Sequence, residues 1–292
     1  MSAPRGRTVT MKRNDTQSRF RLRTRLVRSL RRVSGAILGS LLLFAAILCS
    51  AATGRAVTIN NEIFVKTLPL PAGGSFVLEN VNGSVQVEGW DRDEVEVRAV
   101  KSTTTDWRDL DQVKIDVETN PGHVAVHTRY PKGQGAQVAV EYHIRVPYRV
   151  LLGSIETVNG SVVVKGVEGS GALRSVNGNV EVTNSSGRFN AKTTNGDLRL
   201  ELNELMDGGP MDIETVNGSV VLGLPSNARA NLKVLSMNGD VTSELPVTSA
   251  AAPPAARAFR AHMGTGGGDI SVRTVNGGIH LMVEHEACNK GA

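Results

Sequence analysis

Catalysis and metal binding need side chains that converge on one point. The 292-residue chain has six histidines: His123, His127, His143, His262, His280 and His285. His123 and His127 are four residues apart. On a strand that spacing puts them on one face but about 13 Å apart, too far to share an ion. No acidic or cysteine partner recurs at ligand spacing, so the pair reads as a solvated strand face. Asp91, Asp93 and Glu94 lack the glycine and distal glutamate of an EF-hand and read as a hairpin tip. Gly266-Gly267-Gly268-Asp269-Ile270 matches a calcium-binding nonapeptide once, whereas those sites need stacked copies. No Gly-Lys-Ser/Thr follows these glycines, so they are not a phosphate loop. Ser75 and Ser161 lack the context of a nucleophile elbow.

Polysaccharide lyases and hydrolases merit a separate test, because β-solenoids host them. Their sites cluster carboxylates and cations on one face. Here Glu156, Glu181, Glu201 and Glu214 fall at scattered phases along their strands. Aromatic platforms for sugars are scarce: aromatics are 4% of the chain, and Trp90 and Trp107 are its tryptophans. No catalytic, cofactor-binding or metal-ligating residue is assigned, and no cofactor is expected. The reading is a non-catalytic binding or scaffolding module, with a polysaccharide-processing β-solenoid enzyme as the alternative. Trp90, with Asp91 and Arg92, is either an exposed contact point or a cap on the first rung of the core.

The elements that would carry any surface are set by a phrase repeated seven times. Its corner pairs are Asn82-Gly83, Asn159-Gly160, Asn177-Gly178, Asn195-Gly196, Asn217-Gly218, Asn238-Gly239 and Asn276-Gly277. Val, Thr or Met precedes each pair, and Val, Leu or Ile follows one residue after it. Asn and Gly tolerate positive φ best, so each pair marks a sharp corner between strands. Type I′ hairpin turns are one solution. Rungs of a parallel β-solenoid are the other, and the invariant order of flanking residues favours them, because stacking sets like on like. The asparagines from Asn159 to Asn238 are separated by 18, 18, 22 and 21 residues, about one circuit of a small solenoid. On this reading the last phrase, at 274–279, closes the stack, and replacing Gly178 or Gly196 strains a left-handed backbone.

Charge is divided along the chain. Residues 1–32 hold eleven of the 33 basic and one of the 28 acidic residues, leaving 22 basic against 27 acidic elsewhere. A nucleic-acid binder should carry its basic surface on the folded domain, so nucleic acid is not an expected partner. The positive flank reads instead as a cytoplasmic tail. Residues 33–52 are uncharged and long enough to span a bilayer as one helix. They equally fit the apolar region of a signal peptide, with cleavage near Ser50-Ala51-Ala52 and a start at Met1 or Met11. Lipidation at Cys49 is disfavoured by Leu48, and Cys49 and Cys288 form no disulfide framework. Either main reading puts the rest of the chain outside the cytoplasm, in the cell envelope. Residues 57–150 read as longer, ordinary strands, with a loop or short helix around Trp107. Residues 151–285 carry the dense repeats, interrupted by an Ala/Pro-rich exposed loop within 246–268.

Gly89-Trp90-Asp91-Arg92-Asp93-Glu94-Val95, Arg145-Val146-Pro147 and the chain of Thr-Val-Asn-Gly phrases together resemble the bacterial candidate-adhesin β-repeat family, domain of unknown function 4097. The resemblance covers residues 57–283. It implies an all-β, right-handed parallel β-solenoid-like stack of Asn-Gly-cornered rungs behind one N-terminal membrane or signal helix. It further implies an exported, membrane-tethered, adhesin-like protein with no catalytic residues. Its partners would be the membrane, through residues 33–52, and envelope polysaccharide or protein.

Overall fold

The computed structural model describes residues 59–131, 137–249 and 257–284. The basic tail, the apolar segment at 33–52 and both cysteines lie outside them, as does the centre of the Ala/Pro-rich stretch. Among the described residues no helix is long and apolar enough to cross a membrane.

The chain is all-β and solenoid-like, and each Asn-Gly corner joins a strand of one sheet half to a strand of the other. The leading half contains β2 (Ser75–Glu79), β8 (Arg149–Asn159), β10 (Glu168–Asn177), β13 (Met211–Asn217), β15 (Ala230–Asn238) and β19 (Gly268–Asn276). The following half contains β3 (Val85–Trp90), β9 (Val162–Lys165), β12 (Leu198–Glu204), β14 (Val220–Pro225), β16 (Val241–Ser243) and β20 (Ile279–Glu284). β11 (Val180–Asn195) belongs to both: its first residues pair with β9 and β12, its later ones with β10 and β13. It bends at Asn184, whose φ of 50° is the one left-handed non-glycine among the described residues.

All these strands pair in parallel, and their registers build apolar columns. Leu78, Ile155, Leu173, Ala191, Ile213, Val272 and Val234 lie opposite one another in the leading half. Val85, Val162, Val180, Leu198, Val220, Ile279 and Val241 do the same in the following half. Every one of these fourteen is buried in a single core. Each fully buried Val, Leu or Ile stabilises by about 1.5–3 kcal/mol relative to exposure, so the columns are the main adhesive of the stack.

Two expectations about order are corrected. The phrase at 274–279 does not close the stack: β19 lies between β13 and β15, and β20 lies between β14 and β16. The residues flanking the Ala/Pro-rich stretch are not loop either. β17 (Val247–Ser249) and β18 (Ala258–Met263) form an antiparallel pair that covers the outer side of β15. The reason is the free edge that β15 would otherwise present.

The other end is antiparallel as well. β4 (Glu94–Thr103) does not pair with β3, because β7 (Val138–Pro147) lies between them. β1 (Asn60–Pro69) runs antiparallel to β4, and β5 (Lys114–Asn120) antiparallel to β6 (His123–Arg129), which lies parallel to β2. The short helix α1 (Arg108–Gln112) follows Trp107. A purely parallel solenoid therefore describes the middle of the molecule and not its ends.

Candidate binding surface

Each residue of the phrase has one task. The Thr or Ser two before each Asn points inward, and its hydroxyl donates to a glycine carbonyl on the neighbouring rung. Thr157 reaches Gly83 at 3.0 Å, and Ser175, Thr193, Thr215, Thr274 and Ser236 reach Gly160, Gly178, Gly196, Gly218 and Gly277 at 2.9 Å each. The first phrase has Asn80 instead, which donates to Gly83 O at 3.1 Å and Val140 O at 2.9 Å.

The asparagines form one continuous amide ladder. Asn159 Nδ2 donates to Asn82 Oδ1 at 2.6 Å, and Asn177, Asn195, Asn217 and Asn276 each donate to the preceding member at 2.8–2.9 Å. Asn238 completes it by donating to Asn276 Oδ1 at 3.0 Å. All fourteen corner residues identified from sequence are thus brought into one column. After each glycine comes a small or polar residue: Asn179 Oδ1 accepts from Asp197 N at 2.9 Å, and Asp197 Oδ1 from Ser219 N at 2.7 Å.

The reason for glycine differs from the expectation. No corner asparagine has positive φ, and of the corner glycines only Gly83 and Gly277 do. What excludes side chains is crowding. A Cβ on Gly178 would lie 2.1 Å from Gly160 O, and one on Gly196 would lie 2.2 Å from Gly178 O. Such corners pack backbone on backbone, and the Asn-Gly pairs are not type I′ turns.

Outward from the ladder stand two rows. The residues just before each Asn form the first: Val81, Val158, Val176, Thr194, Val216 and Met237 are exposed, and Val275 is half-buried. The residues three before each Asn form the second. Across the register they read Glu79, Glu156, Arg174, Lys192, Glu214, Arg273 and Leu235, and His127 of β6 extends the row beyond Glu79. His127 Nδ1 lies 3.0 Å from Glu79 Oε2, and Glu156 lies 3.8 Å from Arg174. Glu214 lies 3.3 Å from Lys192 and 3.9 Å from Arg273. From Glu79 and Val81 to Glu214 and Val216 these rows line a groove of about 700 Å³.

Glu156 and Glu214 therefore share one phase, with Glu79, contrary to the scattered phases expected. Glu181 and Glu201 lie in the following half instead. Glu156 and Glu214 remain three strand spacings apart, about 14 Å. Sequence reasoning missed Glu79, Arg174, Lys192 and Arg273. Their signal was the charged residue three before the Asn in six of the seven phrases.

The remaining candidates do not join this surface. Trp90 is half-buried; its Nε1 donates to Glu94 O at 2.8 Å, and Arg92 and Arg145 lie 5.0 and 5.8 Å from its ring centre. It is a cap stapled to its own turn more than an open contact point. His262 Nδ1 lies 2.8 Å from Asn231 Oδ1, and Asn231 Nδ2 donates to Asp269 at 3.0 Å. Among the described residues no three His, Cys, Asp or Glu side chains are grouped to hold a metal. A second cavity, of about 660 Å³, has Gly153, Gly169 and Gly171 in its lining beside Arg188. Arg188 donates to the carbonyls of Met206 and Asp269 at 3.1 and 3.3 Å, and burial lowers its pKa.

The sequence profile described as Toastrack DUF4097 matches residues 67–282. No curated protein matches the chain. Among solved structures, a candidate cell adhesion protein from Clostridium sporogenes is similar at 12% identity and a TM-score of 0.46, covering 77% of this chain and 100% of that one. A candidate adhesin from Bacteroides fragilis is similar at 9% identity and 0.38, covering 76% and 97%. A candidate lipid binding protein from Parabacteroides distasonis is similar at 10% and 0.30, covering 76% and 96%.

Proposed function

The chain belongs to the Toastrack DUF4097 family, and from that premise we propose that it is an adhesin-like, non-catalytic binding or scaffolding module of the bacterial cell envelope. The observation that carries this reading is the pair of outward rows. Seven rungs at about 4.8 Å hold apolar and ion-paired side chains along a rigid line of roughly 29 Å. That surface is built for many small contacts, because its charges already have partners and its valines do not. Export and membrane tethering rest on the basic flank before the apolar segment at 33–52.

The test is capture of cell-envelope polysaccharide and protein by the full chain. Capture should fall at least tenfold when Val158, Val176 and Val216 are replaced together by Ser. It should fall only slightly for Glu181→Ala, which lies on the other half. Unchanged capture by the triple variant, or no capture by the parent, overturns the reading. A reporter fused after Gly291 should be active only outside the cytoplasm.

The groove holding Glu79, Glu156 and Glu214 favours one second reading, processing of an envelope glycan. Against it, each carboxylate has a hydrogen-bonding or cationic partner; Glu156 also accepts from Ser154 Oγ at 2.6 Å. Glycan cleavage by the purified protein, abolished by Glu156→Gln, would establish this second reading and displace the first.

A further inference from the structure

Among the described residues the two sheet halves end in four edge strands, and three of them are blunted. β16 and β17 are three residues each. β5 alternates Lys114, Asp116 and Glu118 along its length, and charge on an edge discourages pairing with another chain. The fourth edge, β1, is different. It is ten residues long, and its outward face carries Ile63 and Val65, which are 60% and 58% exposed. Ile59, just before the strand, is 61% exposed. Among the described residues β1 pairs on one side with β4 and with no strand on the other. A long apolar edge with an unused row of backbone donors and acceptors is a template for a further strand.

The order of residues in β1 identifies that strand. An antiparallel copy of β1 centred on Phe64 sets Glu62 opposite Lys66 of the second copy, and Lys66 opposite its Glu62. The same register sets Ile63 opposite Val65 in both directions. Centring on Ile63 instead puts Glu62 against Phe64, and centring on Val65 puts Lys66 against Phe64, so one register alone sets opposite charges face to face; Glu62 keeps its bond to Lys101 at 3.1 Å and is still exposed enough to meet a second cation. Opposite charges and branched apolar residues directly across an antiparallel pair stabilise it. A patch whose first half complements its second half is what a two-fold interface requires, since each surface must fit itself. Phe64 and Leu68 already pack on the core, so the strand is held in place before a second copy arrives.

We infer that β1 is a homodimerisation edge, joining the following halves of two copies through antiparallel β1 pairing about Phe64. The experiment uses the full chain in mild detergent, with Cys49→Ser and Cys288→Ser. Light scattering should give the mass of a dimer. Ile63→Cys together with Val65→Cys should form an intermolecular disulfide on oxidation. Asp116→Cys with Glu118→Cys on β5 should not. Val65→Lys should raise the dissociation constant at least tenfold while leaving unchanged the thermal melt measured at dilution where parent and variant are both monomers, because the side chain is exposed in the single copy. Lys66→Glu should act in the same direction. A monomer, a dimer that survives Val65→Lys, or cross-linking on β5 as efficient as on β1 would overturn the inference. The second of these outcomes would place dimerisation elsewhere, for example in the apolar segment.

Discussion

From Arg149 to Glu284 the molecule holds most of its strands with the same few side-chain roles on every rung, whereas from Asn60 to Pro147 it uses a different arrangement at almost every contact. In the repeat region a hydroxyl meets a glycine carbonyl, an amide meets an amide, and a column of Val, Leu and Ile fills the core. In the N-terminal region Lys101 is buried and donates to Glu62 at 3.1 Å and to Leu110 O at 3.3 Å. Tyr142 is buried there too, with its hydroxyl 2.7 Å from Thr128 Oγ1. Tyr130 donates to Asn82 O at 3.2 Å, where the two regions meet. The difference teaches how register is specified. Identical ladders hold any two rungs in line but cannot distinguish one rung from another. Singular contacts such as Lys101 with Glu62 can, and they sit where antiparallel strands end the stack.

The largest expected effect is on the crowded corners. Gly178→Ala should destabilise by about 3 kcal/mol, the upper range for overpacking, because its Cβ meets a backbone carbonyl that the next rung holds rigidly. Gly73→Ala is the control, since that glycine has φ of 80° but nothing within 4 Å of a Cβ. It should cost only about 1 kcal/mol, the left-handed penalty. Equal costs in thermal or denaturant melts would return the corners to the conformational explanation.

Next comes the buried hydroxyl ladder. Thr215→Val keeps the shape but leaves Gly196 O without its 2.9 Å donor, and Thr215 is fully buried. The expected cost is about 1–2 kcal/mol. Asn195→Ala removes two exposed amide bonds of the ladder, at 2.8 Å each, and should cost about 1 kcal/mol or less. An Asn195 loss exceeding the Thr215 loss would show that the outer ladder, not the inner one, fastens the rungs.

The N-terminal region should declare itself in alkali. Burial pushes the Tyr130 phenol up to about 12 from 10.0 and raises Tyr142 further, so both hold their protons more tightly folded than unfolded. Their stabilising contribution is therefore complete below pH 10 and is lost as pH climbs from about 10 through the folded values. Melting temperature should fall over that window, and Tyr142→Phe should flatten the fall. A pH-independent melt between 9 and 11.5 would contradict the burial of these phenols. The smallest effect concerns Trp90, whose fluorescence should be only partly quenched by iodide, in keeping with its half-buried indole.

Much of the repeat region was legible because its signal is local. Parallel, in-register stacking places each position of the phrase on its own copy, so columns read from sequence become columns in space. The charged row was legible in principle, since Glu79, Glu156, Arg174, Lys192, Glu214 and Arg273 all stand three before an Asn. It escaped notice because opposite charges look unlike in a residue list, although across neighbouring strands they are complementary.

By itself, the sequence determined the all-β class and the seven corners, because alternation marks strands and a fixed phrase marks the breaks between them; that the Thr or Ser faces inward and the Val outward was decided by the packing. Tertiary structure alone decided the order of the rungs, with Asn276 between Asn217 and Asn238. It also decided that β7 separates β3 from β4. The physical reason is the sameness of the phrase. When every rung offers the same amide and the same carbonyl, ladder bonds are indifferent to which copy comes next. The choice then falls to the connections and to whatever must cover the last open edge.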